Sequence, residues 1–343
     1  MSAYLPPRSV RRLIIDPLWP VIAAAIAVVF ALAALLAALV APLTPRRRLL
    51  RVAMFGLVYL GVDVALLLGC FALWLFALWL RPRRARWVDD HCRLLGWALD
   101  RLQSAGSRYT GFEVRIDDAA IDDPPPGPVI VLARHAGPGD SFALVRLVLR
   151  RYRRRPRVVV KAALQWDPGV DVVLNRLSGY FVPSRTGAGE DVTDRLAELA
   201  GGLAAHDALI LFPEGGNWTP RRQRRAVRHL RRIGRRRAAE RAEAMPRVLP
   251  PRPAGTLACL AGRPDAHVVM VAHTGLDSLV NPGQIWRALP VHDRPMRISW
   301  WCVRPPEDTD PRIREAWLDE QWKRVEHWVT SHSAATAITT TTT

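Results

Sequence analysis

The chain has 343 residues, half of them hydrophobic, and a formal charge of +18 carried almost wholly by arginine, Lys161 and Lys323 being the only lysines. That length and apolar content exclude a disordered polyelectrolyte and leave room for a core together with membrane segments, while the charge favours anionic partners, nucleic acid or acidic lipid head groups. The four cysteines (Cys70, Cys92, Cys259 and Cys302) lie far apart with no CxxC or metal-ligand spacing, so reduced, structural thiols and no metal site are expected.

After a basic lead with Arg8, Arg11 and Arg12, Val21–Ala41 runs without a charge between Pro20 and Pro42. At about 1.5 Å per residue this covers roughly 30 Å, a hydrocarbon core's thickness and more than the apolar part of a cleavable leader. A basic connector, Thr44–Arg51, precedes a second apolar run, Val52–Leu80. That run carries Asp63 and ends in Trp74 and Trp79 before Arg81, Arg83, Arg84 and Arg86, as at a membrane–water interface. Residues 1–86 are therefore expected to form a two-helix membrane anchor, its apolar segments at 21–41 and 52–80. Both of its ends would face the cytoplasm, which makes the protein integral to a membrane, the cell membrane in a bacterium. A re-entrant or interfacial helix pair is the alternative. Asp63 reads either as an intramembrane functional acid or as a contact with the partner helix.

From Trp87 an amphipathic helical link leads into an alternation of strands and helices, predicted to form one α/β domain over 87–332. Strands are predicted at Phe112–Ile116, Val129–Ala133, Arg157–Lys161, Tyr180–Pro183, Ala208–Phe212, Val268–Ala272 and Ile298–Val303. Helices are predicted at Ser141–Arg154, Asp171–Leu177, Glu190–His206, Arg221–Ala244 and from Pro311 to about Thr330. The pattern implies a mostly parallel central sheet with flanking helices, preceded by the membrane hairpin. The threonine-rich stretch 333–343 is expected to be a disordered tail.

Two apolar runs stop abruptly at polar and glycine-rich residues, as buried strands do where they deliver side chains to a site. VIVLARHAGPGD (Val129–Asp140) delivers His135 and Asp140, and ALILFPEGG (Ala208–Gly216) delivers Glu214. A tight turn through Gly137 and Gly139 can fold Asp140 back onto the imidazole, fixing its tautomer and raising the basicity of the far nitrogen. On spacing alone the same residues also read as a packed histidine followed by a helix-capping aspartate. No GxSxG and no reactive cysteine accompanies them, so a base at His135 would act on a hydroxyl of the substrate. His273 and Asp277 share a later turn and read as structural.

HAGPGD followed by FPEGG resembles the glycerolipid acyltransferase family, which acylates lysophosphatidic acid and related lysophospholipids. The family's NHxxxxD block corresponds to Arg134-His135 through Asp140, its glycine-aromatic-arginine block to Gly179–Arg185, and its FPEGT block to Phe212–Gly215. A late hydrophobic-proline block falls weakly on Val268–Ala272, so the likeness covers residues 128–275. Val248–Gly255 and the Trp317–Trp328 helix are similar to the lysocardiolipin and lysophosphatidylglycerol branch. The resemblance implies His135 as catalytic base held by Asp140, Glu214 and Gly215 at the acceptor or bracing the loop, and Arg185, Lys161 and Arg252 as phosphate-binding cations. It implies acyl-CoA or acyl carrier protein as donor substrate, a lysophospholipid acceptor, no separate cofactor, and a catalytic domain on the cytoplasmic face.

Two departures stand out: Arg134 in place of asparagine, and Gly216-Asn217 where threonine and arginine often follow FPEG. Losing that arginine favours a phosphodiester head group over a phosphomonoester. The arginine-rich stretch Arg221–Arg252 is expected to meet an anionic membrane surface rather than nucleic acid, since it lacks interleaved aromatics and a reader fold. Two rival classes are a metal-dependent hydrolase using His135, Asp140 and Glu214, and a non-catalytic basic membrane protein binding anionic lipid or nucleic acid.

Overall fold

In the computed structural model, which describes residues 5–44, 46–81, 83–117, 125–137, 139–183, 189–279 and 281–339, a helical turn α1 (Arg8–Val10) runs through a π-helical segment into α2 (Asp16–Leu39). There follow α3 (Arg48–Leu80), α4 (Arg84–Ala105), β1 (Val114–Ile116), β2 (Val129–Ala133), α5 (Asp140–Arg150), β3 (Arg155–Lys161), α6 (Pro168–Arg176) and β4 (Tyr180–Val182). The remainder is α7 (Gly189–Gly201), β5 (Asp207–Leu211), α8 (Pro220–Arg232), α9 (Arg236–Glu243), α10 (Pro253–Gly262), β6 (His267–Thr274), α11 (Pro282–Ala288), β7 (Met296–Val303) and α12 (Pro311–Thr339). These elements make an α/β fold with seven strands, mostly parallel, and flanking helices, as the alternation predicts. They divide into two units, one of Met1–Glu113, Val145–Thr186 and Trp286–Asp293, the other of Val114–Leu144, Gly187–Ile285 and Arg294–Thr343.

The first unit holds the apolar helices. Those at Arg8–Leu39 and Arg48–Leu80 are long and apolar enough to cross a membrane, and large side chains such as Leu36, Phe76 and Trp79 stand exposed on them. The first helix begins before Pro20 rather than after it. An Arg12–Asp16 pair one turn apart (2.9 Å) supports its early part, and Arg11 Nε donates to the buried Asp171 at 3.0 Å. Asp63 is buried and accepts Trp19 Nε1–H at 2.5 Å, so it makes the contact between partner helices. Gly169 closes over it: a Cβ there would lie 2.1 Å from Asp63 Oδ1. In the same unit β3 and β4 pair in parallel, Val160 opposite Phe181.

In the second unit the strands run in the order β1-β7-β6-β2-β5. β2 pairs in parallel with β5 on one side and β6 on the other, Val131 standing opposite Ile210 and Val269. β6 and β7 are antiparallel, and β1 is parallel to β7. Every residue of β2 and β5 is buried, which accounts for their unbroken aliphatic runs: a strand covered on both faces has no polar side to alternate. Because Leu132 is opposite Leu211, the residues that follow these two strands leave the sheet at one edge.

Arg221–Ala244, expected as one helix, breaks at Gly234, whose φ of +77° a side chain would resist. The proline-led apolar stretch after Arg252 forms α10, which no strand–helix periodicity marks. The last helix continues to Thr339, through most of the stretch expected to be disordered, and 340–343 lie outside the described residues.

α10 meets α7 so closely that a Cβ on Gly262 would lie 2.1 Å from the Ala197 carbonyl oxygen. Backbone cannot yield as a flexible side chain does. Gly262→Ala is expected to cost about 1–3 kcal/mol of stability, read as a lower thermal midpoint of the detergent-solubilised protein. An unchanged midpoint would mean that the two helices separate at no cost.

Candidate active site

Past Ala133 the chain turns out of the sheet, and two glycines make the turn. Gly137 sits against Leu276, where a Cβ would come within 2.6 Å of the Leu276 Cβ, and Gly139 takes φ +89°. The turn brings the carboxylate of Asp140, the first residue of α5, back to His135. Asp140 Oδ2 lies 2.8 Å from His135 Nδ1 and also accepts the N–H groups of Ala136 (2.9 Å) and Gly137 (3.2 Å). Asp140 Oδ1 accepts from the Ser141 N–H (2.6 Å) and hydroxyl (3.1 Å). One oxygen of Asp140 thus faces the imidazole, while the other accepts from Ser141, the next residue of the helix. Burial pushes the Asp140 carboxyl up, but the His135 hydrogen bond, the neighbouring histidines and the Ala136 N–H outweigh it and hold the pKa at about 2. Asp140 is thus ionised at neutral pH, with His135 Nδ1–H as its donor and Nε2 as the nitrogen left to take a proton. The His135 side chain is 18% exposed and packs on the Phe212 ring at 4.6 Å between centroids.

Glu214 comes from the loop after β5 and is 2% exposed. Its Oε2 accepts the His135 N–H (2.8 Å) and its Oε1 the Leu249 N–H (2.9 Å). Burial raises its pKa to about 8, against the pull of Arg134 and the two backbone donors. Both oxygens face backbone, so of the two roles considered for Glu214 the geometry favours bracing the loop. The His135 carbonyl is held as well, by the Trp218 N–H at 2.6 Å, so both backbone groups of the residue that carries the imidazole are fixed. Gly215 is exposed with φ +68°. The guanidinium of exposed Arg252 lies against it, 3.1 Å from where a Cβ would stand, and the Arg252 N–H donates to the Pro213 carbonyl at 2.9 Å.

Beneath the loop lies a group that sequence spacing does not reveal. Arg134 is fully buried and forms an ion pair with Asp277. It also donates to the carbonyls of His273 and Arg247, each at 2.6 Å, and lies over the Trp218 ring at 5.6 Å. His273 is buried, donates through Nε2 to the Arg134 carbonyl at 2.8 Å, and stands 3.6 Å from Asp140 Oδ2. Burial lowers its pKa and so favours the neutral ring. Burial also works against the Asp277 charge, but Arg134 and the Thr274 hydroxyl outweigh it and hold that carboxyl below its ordinary value. His273 and Asp277 therefore belong to the support of the site rather than to an isolated turn. The signal for them is topological: β6 is β2's sheet neighbour, so its C-terminal end arrives beside His135.

Of the other expected site residues, Lys161 ends β3 in the first unit, where it is exposed, and Arg185 lies outside the described residues. The backbone N–H groups of Ala136, Gly137 and Ser141 are engaged by Asp140. Among the described residues no group of three or more His, Cys, Asp or Glu could hold a metal ion. The Asp140 oxygens are engaged by the His135 ring, the Ser141 hydroxyl and backbone N–H groups, and the Glu214 oxygens by backbone N–H groups.

Residues 115–250 match the family model described as Acyltransferase, a segment that contains His135, Asp140, Glu214 and Gly215 and ends two residues before Arg252. No curated protein matches the chain. Among solved structures, that of the 1-acyl-sn-glycerophosphate (LPA) acyltransferase PlsC from Thermotoga maritima is similar at a TM-score of 0.44 and 17% identity, covering 69% of this chain and 81% of that one. The histidine–aspartate pair lies within the matched segment.

The buried ion pair makes a sharp expectation. Asp277→Asn leaves the Arg134 charge without its partner and should cost about 3 kcal/mol in urea denaturation, whereas Arg134→Met combined with Asp277→Leu should cost less. A double variant as unstable as Asp277→Asn would locate the loss elsewhere.

Proposed function

We propose that the protein is a membrane-anchored enzyme that transfers a fatty acyl group from a thioester, acyl-CoA or acyl carrier protein, to the hydroxyl of a lysophospholipid. The observation that carries this reading is the His135 Nδ1–Asp140 Oδ2 contact of 2.8 Å in the matched segment. It leaves the far imidazole nitrogen of a partly exposed ring to meet a substrate hydroxyl. His135 Nε2 takes the proton as the hydroxyl oxygen attacks the thioester carbonyl carbon. The tetrahedral intermediate collapses, the carbon–sulfur bond breaks, and the thiolate recovers the proton from the imidazolium. Asp140 supports that imidazolium with its negative charge, and Glu214 and Trp218 keep the His135 backbone from shifting as the charge forms.

Arg252, exposed beside Gly215, is the cation of this unit that we assign to the acceptor phosphate, with Arg185 and Lys161 as further candidates. Where the related pattern has an arginine this chain has Asn217, and Arg222 Nη1 donates to the Asn217 carbonyl at 3.0 Å. That arginine is partly engaged by backbone. The acceptor we favour is therefore a lysophospholipid with a singly charged phosphodiester head group, acylated in phospholipid synthesis or remodelling. The two apolar helices support an anchor in the membrane where such an acceptor resides, with the α/β part on the cytoplasmic face.

Membranes carrying the protein, given labelled acyl-CoA and a panel of lysophospholipids, test the activity directly. His135→Ala should lower turnover by about 10²–10⁴-fold, and Asp140→Asn should lower kcat with little change in KM, because its charge matters most once the imidazolium forms. Full activity in His135→Ala would sink the mechanism. For the acceptor, kcat/KM for a phosphodiester lysophospholipid should exceed that for lysophosphatidic acid of the same chain, and Asn217→Arg should narrow the gap. A tenfold preference for lysophosphatidic acid in the unmodified protein, about 1.4 kcal/mol, would overturn the head-group assignment.

A further inference from the structure

α8 and α9 lie outside the chemistry just described, yet between Arg221 and Ala244 stand eleven arginines against two glutamates, half of the chain's net charge of +18. One seam holds the two helices together: Val227, Ala239 and Ala242 are buried, Leu230 packs on them, and Gln223 Nε2 donates to the Ala242 carbonyl at 2.8 Å. The Arg241–Asp319 pair at 2.8 Å ties α9 to α12. Ten of the eleven arginines are exposed, Arg241 being the exception. Among the described residues Glu243 is the acidic partner of one of the ten, Arg231, at 2.6 Å. Such a concentration of one charge repels itself and is relieved by an extended anionic surface.

The turn between the helices adds an independent feature. In Arg231-Arg232-Ile233-Gly234-Arg235-Arg236 the isoleucine is 51% exposed, an apolar side chain held out between two arginine pairs by the left-handed Gly234. That arrangement suits a lipid interface, where arginines meet phosphates and an aliphatic group enters the acyl boundary. Nucleic acid fits less well: residues 220–244 contain no aromatic side chain of the Phe, Tyr or Trp type on which a base could stack.

We propose that α8, α9 and their turn form a docking surface for an anionic bilayer, with Ile233 entering the interface between Arg231-Arg232 and Arg235-Arg236. α8 begins six residues after Glu214, so docking through it would hold the strand-end site close to the lipid surface on which a lysophospholipid acceptor lies. The inference rests on the membrane-anchored reading and not on acyl transfer.

To test it, the full chain with Ile233→Cys is labelled with an environment-sensitive fluorophore, the parent protein being labelled in parallel as background. Both are reconstituted into nanodiscs of phosphatidylcholine alone or of phosphatidylcholine with phosphatidylglycerol, each with brominated acyl chains that quench the probe. We expect quenching in the anionic discs that weakens as salt is raised. It should fall by at least half when Arg231, Arg232, Arg235 and Arg236 are changed to glutamine. Equal quenching in neutral and anionic discs, or quenching that survives those four substitutions, would overturn the proposal. A probe response to duplex DNA with none to anionic lipid would assign the surface to nucleic acid instead. Thioester turnover measured on the same discs separates the two readings, since quenching without turnover counts against acyl transfer and leaves docking standing.

Discussion

The site depends on one buried carboxylate. Asp140 is 1% exposed and ionised, a state that low-dielectric surroundings penalise unless hydrogen bonds replace water. The HAGPGD turn supplies them from His135, Ala136, Gly137 and Ser141. The turn brings those donors around one side chain, and the side chain in turn holds the turn closed. A pKa held near 2 in the fold, against an ordinary 3.8, corresponds to about 2 kcal/mol of stability that is present above the unfolded value and lost as pH falls through the folded one. The same charge orients the imidazole. Structure and proposed chemistry draw on one interaction here.

His135 is held through its backbone as well as its ring. Glu214 takes its N–H and Trp218 donates to its carbonyl, so the loop after β5 grips the loop after β2 on both sides of the imidazole-bearing residue. Arg134 extends this grip to the end of β6 and to the Arg247 carbonyl. Arg134, in place of asparagine, lies over Trp218, which stands in the segment that lacks the usual arginine after FPEG. Seen in sequence, Arg134 and Trp218 stand far apart in the chain; in the fold they are a cation and the ring it lies over. An arginine this deep is acceptable because Asp277 supplies a counter-charge and two carbonyls accept further hydrogens.

Much of this is legible from residue order. β2 and β5 can be read from unbroken aliphatic runs because strands buried on both faces need no polar alternation, and their abrupt ends mark where functional side chains emerge. Asp140 can be read in two ways from spacing alone, and only the fold places one of its oxygens against the His135 ring. The support of the site is not legible in the same way. His273 and Asp277 lie more than a hundred residues after His135, beyond the reach of any motif spacing; only the sheet order, with β6 beside β2, brings them in. The break at Gly234 is hidden for a different reason: arginine favours helices on both sides of it, and one glycine with positive φ decides the matter.

Charge follows the same division between what is buried and what is offered. Arg134 is enclosed, has a carboxylate partner and serves the loop; Arg252 is exposed against Gly215, where no side chain intervenes between guanidinium and backbone. The exposed arginines of α8 and α9 have almost no acidic partners among the described residues. A cation that is buried needs a fixed counter-ion, whereas one left at the surface can take its counter-ion from a ligand. On that ground we propose different tasks for the three arginine sets: holding the loop, meeting the acceptor phosphate, and meeting a lipid surface. The assignment follows from burial and from which partners each set has, not from the residue type, which is the same in all three.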